Sequence, residues 1–370
     1  MFNKSKTLLV LVSFCLAGGV FAQAPKYSNE FLSIGVGARA LGMANANIVS
    51  ANDVTAAYWN PAGLLNLRSN MQLGLMHADY FAGIAKYDYA GLATRLDSNS
   101  VGAISFIRFG VDNIPNTTQL IDANGNVDYD KISKFNATDF ATFISYARNL
   151  AKVKGLKVGG SAKIIRRKLG DFGGSWGFGL DAAASYEYQQ WKFAAVGRDI
   201  TGTFNAWSFN LADDVKEVFA QTNNSIPKNS VEITAPRLVL GAARQFSCWK
   251  DKISILAELN LVNTFDGKRN VLIKSNAVSI DPVMGVEVGY LNFVFLRGGI
   301  GNIQKATDAV GKSITTIQPN IGVGIKYKVF ALDYAFTNIG DQSIGLYSNI
   351  FSLKIDINKK LQQSGSSSQP

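Results

Sequence analysis

The sequence predicts an all-β protein: a transmembrane antiparallel β-barrel of about 14 strands with an N-terminal plug segment. From Asn70 onward, apolar and polar residues alternate at every second position. They do so in about fourteen segments of about ten residues, the length that a tilted strand needs to cross a bilayer. The connections between the segments run short, long, short, long. A soluble sandwich also alternates, but this pattern of connections favours a barrel with tight turns on one side of a membrane and open loops on the other.

The composition agrees with a membrane barrel. Gly is abundant (35 residues), Pro is scarce (8), 17% of residues are charged and 11% are aromatic. This suits strands with one face in lipid and does not suit a disordered chain. The net charge of +10 suggests nucleic-acid binding, but Lys and Arg are scattered and the closest cluster, Arg166-Arg167-Lys168, stands alone. We therefore expect no nucleic acid partner, and expect cationic lumen or loop residues to face acidic lipopolysaccharide or an acidic client.

Residues 1–22 are predicted to be a signal peptide. Lys4 and Lys6 form a basic start, Thr7 to Val20 is the apolar run, and cleavage after Ala22 would leave Gln23 as the first mature residue. A membrane anchor is the weaker alternative, because the run is short for a span and no stop-transfer cluster of charges follows it.

The remaining chain offers neither a disulfide nor a helical span. Lipidation at Cys15 is disfavoured because more apolar chain follows it, and after cleavage Cys248 is the one cysteine left. No later segment has 18 consecutive apolar residues. An exported chain of this kind is predicted to lie in the bacterial outer membrane, where a closed barrel satisfies every backbone group, with both termini in the periplasm.

Residues 23–68 do not show the strand pattern and are predicted to form a compact plug or hatch inside the barrel. The stretch from Phe31 to Met43 is rich in Gly, Ala and Arg. Asp53 is a suitable N-cap for a short helix over Val54 to Trp59, and Asn60-Pro61 should end that helix, because a residue before proline is disfavoured in the helical region.

Residues 69–358 are predicted to form the barrel, and residues 359–370 an unordered Ser- and Gln-rich tail. The long loops, at Gly110–Asn136, Thr201–Ile233 and Phe265–Ile280, all fall on one side, and Ala212 to Gln221 could form a small helix. Aromatic residues near strand ends should form an interfacial girdle; they include Tyr186, Tyr188, Trp191, Phe293 and Tyr327. The predicted strands are Met71–Tyr80, Ala85–Leu96, Val101–Phe109, Thr138–Leu150, Leu156–Lys168, Trp176–Gln189, Trp191–Ile200, Pro236–Phe246, Ile253–Thr264, Val283–Leu291, Phe293–Asn302, Thr315–Lys328, Ala331–Ile339 and Tyr347–Ile357.

The sequence offers little for catalysis, and we expect no enzyme activity, cofactor or metal. His77 is the sole histidine, so a hydrolase triad has almost nothing to work with, and an ordinary structural or lumen residue is expected. The stretch from Asp122 to Asp128 resembles half of a calcium loop, but it lacks the closing glutamate and is better explained as an Asn-Gly turn. Glycines at 298–301 and 173–174 do not open a helix; they suit a bend or room for the plug.

A motif in the predicted plug resembles a known family. The stretch Gly35-Val-Gly37-Ala-Arg39-Ala-Leu-Gly42-Met43 is followed by Asp53 and then by Ala56-Ala-Tyr-Trp59-Asn60-Pro61-Ala-Gly63. This pattern resembles the PorV/PorQ family, which looks like a branch of the FadL-type outer-membrane barrels. The match is specific within about thirty residues; elsewhere it is carried by strand pattern and count.

The resemblance implies a fourteen-stranded barrel with a plug and a role in type IX secretion. Such a protein would bind secreted cargo through its C-terminal signal domain, contact translocon or attachment-complex proteins, and pass cargo to the surface attachment machinery. The surrounding partners would be outer-membrane lipid and lipopolysaccharide. The chain departs from many barrels in that a polar tail, not an aromatic residue, follows the last strand.

Two other functions remain open: a FadL-like transporter of hydrophobic small molecules, with an apolar lumen pocket and a gap in the wall, and a general porin, against which the plug argues. Arg39 is expected to anchor the plug to a lumen carboxylate such as Glu258 or Glu287. The predicted structural site is the plug motif, made of Gly35, Gly37, Arg39, Gly42, Asp53, Trp59, Asn60, Pro61 and Gly63.

Overall fold

The protein is a closed antiparallel β-barrel. A computed structural model describes residues 28–121, 125–150, 153–307, 311–339 and 347–358, and over these ranges seventeen strands form one sheet. The predicted signal peptide and the polar tail lie outside these residues. The predicted number of about fourteen barrel strands is confirmed, because the ring of paired strands closes through fourteen of the seventeen described strands.

Each wall strand pairs with its neighbours along the chain, and the last pairs with the first, from Met71↔Ile357 to Asp79↔Asn349. The wall strands are β1 (Met71–Tyr80), β2 (Ala85–Arg95), β3 (Ser100–Asn116), β4 (Ser133–Asn149), β5 (Leu156–Leu169), β6 (Gly173–Tyr188), β7 (Trp191–Arg198), β10 (Arg237–Cys248), β11 (Ile253–Thr264), β13 (Ser279–Tyr290), β14 (Val294–Thr307), β15 (Ser313–Tyr327), β16 (Phe330–Thr337) and β17 (Ser348–Ile357). The three further strands are β8 (Thr203–Phe209), β9 (Ser230–Thr234) and β12 (Ile273–Lys274).

The strands alternate between a buried inner face and an exposed outer face. On β15, Ile321, Val323 and Ile325 are exposed, whereas Gly322 and Gly324 between them are buried. This is the period of two that a wall strand shows when one face meets lipid. Tyr188, Trp191, Phe293 and Tyr327, all from the predicted girdle, are exposed near the short turns.

Connection lengths differ sharply between the two ends of the barrel. At the short-turn end the connections are 96–99, 150–155, 189–190, 249–252, 291–293 and 328–329. The opposite, long-loop end has the long connections at 117–132, 210–229 and 265–278, with a 3₁₀ helix at Tyr129–Lys131 and a helix, α3, at Asp213–Gln221. It also has short turns at 81–84 and 170–172. Parts of all three predicted long loops are strand instead: β3 and β4 extend to Asn116 and back from Ser133, and the other two loops contain β8, β9, β12 and the start of β13.

A bulge interrupts the wall between β7 and β8. Both strands pair with β6, but the register shifts from Gly197↔Ala182 to Phe204↔Phe178, so the β7–β8 side carries three extra residues. Asp199 and Gly202 have positive φ values of 56° and 68° in this bulge. The partner strands β9 and β10 are interrupted beside it at residues 235–236.

Residues 28–68, called the inner segment here, contain two short helices and two 3₁₀ helices. They are α1 (Ala38–Gly42), α2 (Ala56–Trp59), a 3₁₀ helix at Glu30–Ser33 and another at Pro61–Asn66. The predicted start of α2 was two residues early. Thr55 is its N-cap residue, and the Asp53 carboxylate accepts from the backbone N–H of Thr55 (2.9 Å). Asn60 is extended and ends α2, as expected before proline.

No helix in the described parts of the chain has the length and apolar character of a membrane span.

Candidate functional site in the barrel lumen

The inner segment lies within the ring of strands and is bonded to widely separated parts of the wall. The backbone N–H of Ala38 donates to Ser352 on β17 (2.7 Å). On other strands, Val54 N–H donates to Gln72 of β1 (2.7 Å), and Asn60 donates to Ser185 of β6 (2.8 Å). Because β6 lies across the ring from the neighbouring strands β1 and β17, the segment crosses the lumen.

One side of the inner segment is attached by apolar packing. The ring of Tyr58 meets Phe143 edge-on, with centroids 5.8 Å apart. Ser145 and Ser161, on β4 and β5, both donate to the carbonyl oxygen of Ala57 (3.2 and 3.1 Å). Apolar side chains of β2 to β6 complete this core, among them Tyr87, Ile107 and Ile165. Burial of such side chains stabilises the contact by about 1.5–3 kcal/mol each.

The other side is attached by ion pairs. Arg39 Nε lies 2.7 Å from Glu287 on β13, and its Nη2 also donates to Glu287 (3.0 Å). Glu287 is shared with Arg297 of β14 (2.6 Å). Glu258, the other carboxylate considered for Arg39, accepts instead from the backbone N–H groups of Val49 and Ser50 (2.8 and 3.0 Å).

The ionic network continues to a second point of the inner segment. Arg297 pairs with Asp333 of β16 (2.8 Å), and Asp333 pairs with Lys354 of β17 (3.0 Å). Lys354 in turn lies 2.9 Å from Asp53, next to α2. Arg39 and Asp53 are therefore the two ends of a single chain of charges. It runs through four wall side chains: Glu287, Arg297, Asp333 and Lys354.

Both inner-segment charges are held in their ionised forms. Burial alone would raise the pKa of Asp53, but the Lys354 ammonium and the Thr55 hydroxyl outweigh it and hold the pKa well below its usual range. Burial alone would lower the pKa of Arg39, and the Glu287 carboxylate outweighs it and raises the pKa. Arg39 and Asp53 therefore stay charged at neutral pH.

Trp59 and Asn60 of the motif form hydrogen bonds to other residues of the inner segment. Trp59 Nε1 donates to the carbonyl oxygen of Val36 (2.8 Å), which ties α2 to the stretch before α1. Asn60 donates to Ile48 O (2.6 Å), and its Oδ1 accepts from Ala62 N–H. Pro61 opens the 3₁₀ helix at Pro61–Asn66, where its missing N–H leaves no donor unsatisfied.

The motif glycines stand at tight points of the backbone. Gly35 and Gly37 have φ values of +100° and +88°, which disfavour other residues. A Cβ atom on Gly42 would lie 2.9 Å from Cα of Gly322 on the wall, and one on Gly63 would lie 2.7 Å from Ala51 O. On the wall, a Cβ on Gly299 would meet the Met43 backbone at 2.2 Å, so this glycine makes room for the inner segment.

The inner segment lies between two cavities. The outer cavity, of about 1150 Å³, opens toward the long-loop end and is lined by Leu41, Ile48 and Trp59 of the segment and by wall residues such as Val239 and Val262. The inner cavity, of about 620 Å³, lies toward the short-turn end and is lined by charged side chains, including Arg39 and Asp53. The outer cavity is the more suitable of the two for an apolar ligand.

Positive charge is concentrated at the short-turn end. Within the described residues, the short turns and the strand ends beside them carry eleven basic residues and four acidic ones. The basic residues are Arg68, Arg95, Arg148, Lys154, Lys157, Lys192, Arg244, Lys250, Lys252, Lys326 and Lys328, and the acidic ones are Asp97, Glu187, Asp251 and Asp356. This surplus lies at the end opposite the long loops, and the expectation that cationic residues face lipopolysaccharide or an acidic client stays a prediction.

A buried charge cluster at the β7–β8 bulge was not predicted. Lys163 of β5 lies 2.8 Å from Asp181 of β6 and also pairs with Asp199 of the bulge, and all three side chains are 4% exposed. Arg237 approaches Asp199 at 3.7 Å. A lysine in mid-strand between apolar positions was the available signal, but its partners are 18 and 36 residues away and no local pattern joins them.

His77 faces outward and not into the lumen. Its Nδ1 lies 2.6 Å from Asp88 on β2, and Asp88 also pairs with Arg108 on β3 (3.2 Å). The three side chains are cross-strand neighbours on the outer wall, so His77 has a structural position there.

The calcium-like stretch from Asp122 to Asp128 shows no set of metal ligands among its described residues. Residues 122–124 of the calcium-like stretch lie outside the described residues, and Asp128 within it accepts from the backbone N–H of Asp130 (3.1 Å). No group of three or more His, Cys, Asp or Glu side chains suited to a metal ion occurs in the described part of the chain.

The chain is similar in fold to a solved hydrocarbon channel, a toluene transporter and a FadL homologue. The CymD monoaromatic hydrocarbon channel matches with a TM-score of 0.55 and 14% identity over 88% of this chain and 98% of that one. The Ralstonia pickettii toluene transporter TbuX matches with a TM-score of 0.54 and 13% identity over 88% and 99%. A Pseudomonas aeruginosa FadL homologue matches with a TM-score of 0.52 and 10% identity over 87% and 98%.

These likenesses show a FadL-like barrel fold. No family model and no curated protein matches the chain. The resemblance to the PorV/PorQ family therefore stays a prediction that rests on the motif between Gly35 and Gly63.

Proposed function

We propose that the protein is a transporter that admits hydrophobic small molecules across the outer membrane, and that its inner segment is the plug. The observation that carries this proposal is the outer cavity of about 1150 Å³, whose floor is the inner segment. Aliphatic and aromatic side chains from both floor and wall line it, among them Ile48, Tyr80 and Val262, together with polar and charged ones such as Arg237 and Asn260. The apolar part of this lining suits an apolar organic molecule, which loses hydration on entry.

The two kinds of attachment suggest how the plug moves. The apolar side, around Tyr58 and Phe143, stays in place because separating it would expose a large apolar surface. The ionic side, from Arg39 to Asp53, faces the polar inner cavity, where water can solvate separated charges. We propose that the ionic side releases when a molecule passes and that the apolar side serves as the hinge.

The known functions of similar folds support the direction of this proposal. CymD is a monoaromatic hydrocarbon channel and TbuX a toluene transporter, and both share the barrel over nearly their whole length. In the proposed orientation the long loops face the exterior and the short turns, with both termini, face the periplasm. A molecule would then enter the outer cavity first.

The proposal is tested by filling the outer cavity. Val262→Trp places an indole in the cavity, whereas Leu261→Trp adds the same group one residue earlier on β11, on the outward face. We expect Val262→Trp to lower uptake of toluene and oleate by cells at least fivefold, and Leu261→Trp to leave it within twofold. Equal uptake by cells with and without the wild-type protein would refute transport of these compounds.

Cargo binding in type IX secretion is a second candidate. The observation that favours it is the size of the long-loop end, where β8, β9 and α3 extend beyond the paired wall and leave Asp213, Asp214 and Glu217 exposed. Loops of this length are often binding surfaces. A deletion strain separates the two candidates, because loss of many surface proteins at once supports secretion and loss of growth on an apolar carbon source supports transport.

A further inference from the structure

Five basic side chains line the inner cavity close to its mouth at the short-turn end: Arg68, Lys157, Lys192, Lys326 and Lys328. Lys157 pairs with Glu187 (2.6 Å), and Lys326 approaches Asp356 at 3.7 Å. Within the described residues, Arg68, Lys192 and Lys328 have no carboxylate at ion-pair distance, although Lys192 lies opposite Glu187 in the β6–β7 register and Lys328 lies over the ring of Tyr327. Three cations around one concavity create a positive potential that attracts an anionic partner.

We propose that this inner cavity is the docking site for a short acidic segment, rich in Asp and Glu, of a protein in the compartment that the short turns face. At about 620 Å³ the cavity lies within the range of binding clefts. The carboxylates of the segment would pair with Arg68, Lys192 and Lys328. This inference does not depend on what the outer cavity admits.

The stretches before and after the described residues do not supply the acidic segment. Residues 1–27 and 359–370 contain no Asp or Glu, so neither end of the chain complements the cavity. The acidic residues of α3 belong to the opposite end of the barrel.

The geometry favours a protein segment over lipid head groups. The cavity is walled by inward-facing side chains of the wall strands, whereas lipid contacts the outer face of the barrel. Lys250 and Lys252, in the turn between β10 and β11, do not line the cavity and are better placed for lipid phosphates.

The test is fluorescence anisotropy with a labelled peptide of eight alternating Asp and Glu residues, titrated with the full-length purified barrel in a neutral detergent. We expect saturable binding at 50 mM NaCl that weakens as salt rises, because the ion pairs are near a wet surface. A peptide with Asn and Gln in place of the acids should not bind. Heat-modified gel mobility checks that every variant is a folded barrel.

A matched pair of variants separates the cavity from the general charge of this end. Lys192→Gln with Lys328→Gln should weaken peptide binding at least tenfold, whereas Lys250→Gln with Lys252→Gln, which removes the same charge outside the cavity, should change it less than twofold. An equal loss in both variants, or no binding by the wild type, overturns the proposal. Full displacement of the peptide by millimolar inorganic phosphate or by phosphatidylglycerol micelles also overturns it.

Discussion

At the scale of single residues, the inner segment is fitted to the wall by what its side chains lack as much as by what they carry. Gly42 on α1 faces Gly322 on β15, and a Cβ atom on either would come within 3.2 Å of the other backbone. The helix can therefore approach the wall only because both positions lack a side chain. This close approach brings Arg39, one turn earlier, within reach of Glu287.

Replacing Gly42 by Val should destabilise the barrel by about 1–3 kcal/mol, because the wall backbone cannot move aside as a side chain would. The control is Gly298→Val on β14, where an added Cβ would meet nothing within 4 Å. The measurement is the urea midpoint of unfolding followed by tryptophan fluorescence. Similar midpoints for the two variants would show that the approach of Gly42 to Gly322 has no energetic weight.

The residue scale also shows how far a sequence can lead. An arginine in a segment placed inside a barrel needs a lumen carboxylate, and the pairing of Arg39 with Glu287 could be predicted on that basis. The pairing of Asp53 with Lys354 could not, because these residues are 301 positions apart and neither shows a local pattern. Long-range ion pairs depend on barrel register, which the sequence alone leaves open.

At the scale of elements, regular strands were predicted closely and interrupted ones were not. β1 and β11 have the predicted bounds, Met71–Tyr80 and Ile253–Thr264, because their alternation is unbroken. At the β7–β8 bulge the phase reverses: Val196 and Arg198 face inward before it, and Thr203 and Asn205 after it. In the sequence, the alternation breaks where its phase changes. The stretch that forms β8 was therefore predicted to be part of a loop.

Lys163→Met should destabilise the β7–β8 bulge strongly, because it leaves Asp181 buried without its cation and Asp199 with Arg237 alone, at 3.7 Å. Removing one partner of a buried ion pair costs about 3–5 kcal/mol. The matched control is Lys168→Met on the same strand, which is exposed. Hydrogen exchange of residues 196–206 reports the effect, and unchanged protection in Lys163→Met would show that the cluster does not hold the bulge.

At the scale of the whole molecule, two cavities of different chemistry lie on either side of one inner segment. The outer cavity mixes aliphatic and aromatic residues with many polar ones, and the inner one is dominated by charge. Sequence alternation predicted the barrel and the loop asymmetry, but it could not predict the cavities, since their shapes depend on how residues 28–68 cross the lumen.

The proposed plug gives a prediction for conductance. The wild-type protein in a planar bilayer should show no steady open-pore current. Arg39→Ala with Asp53→Ala removes both ends of the ionic network and should produce frequent openings of at least tenfold higher mean current. The control is Arg148→Ala with Asp97→Ala, which removes the same charges at exposed turn positions, and openings as frequent in this control would contradict the role of the network.

The seam between β1 and β17 has a consequence for biogenesis. Among the described strands, β17, which completes the barrel by pairing with β1, comes last in the chain. Its Ser352 and Lys354 bind Ala38 and Asp53, which lie near the start of the described residues. We expect the inner segment to reach the lumen before β1 and β17 pair, because it is bonded to both of these strands. The inner segment is therefore expected to pack against β1 and β17 before these two strands close the barrel.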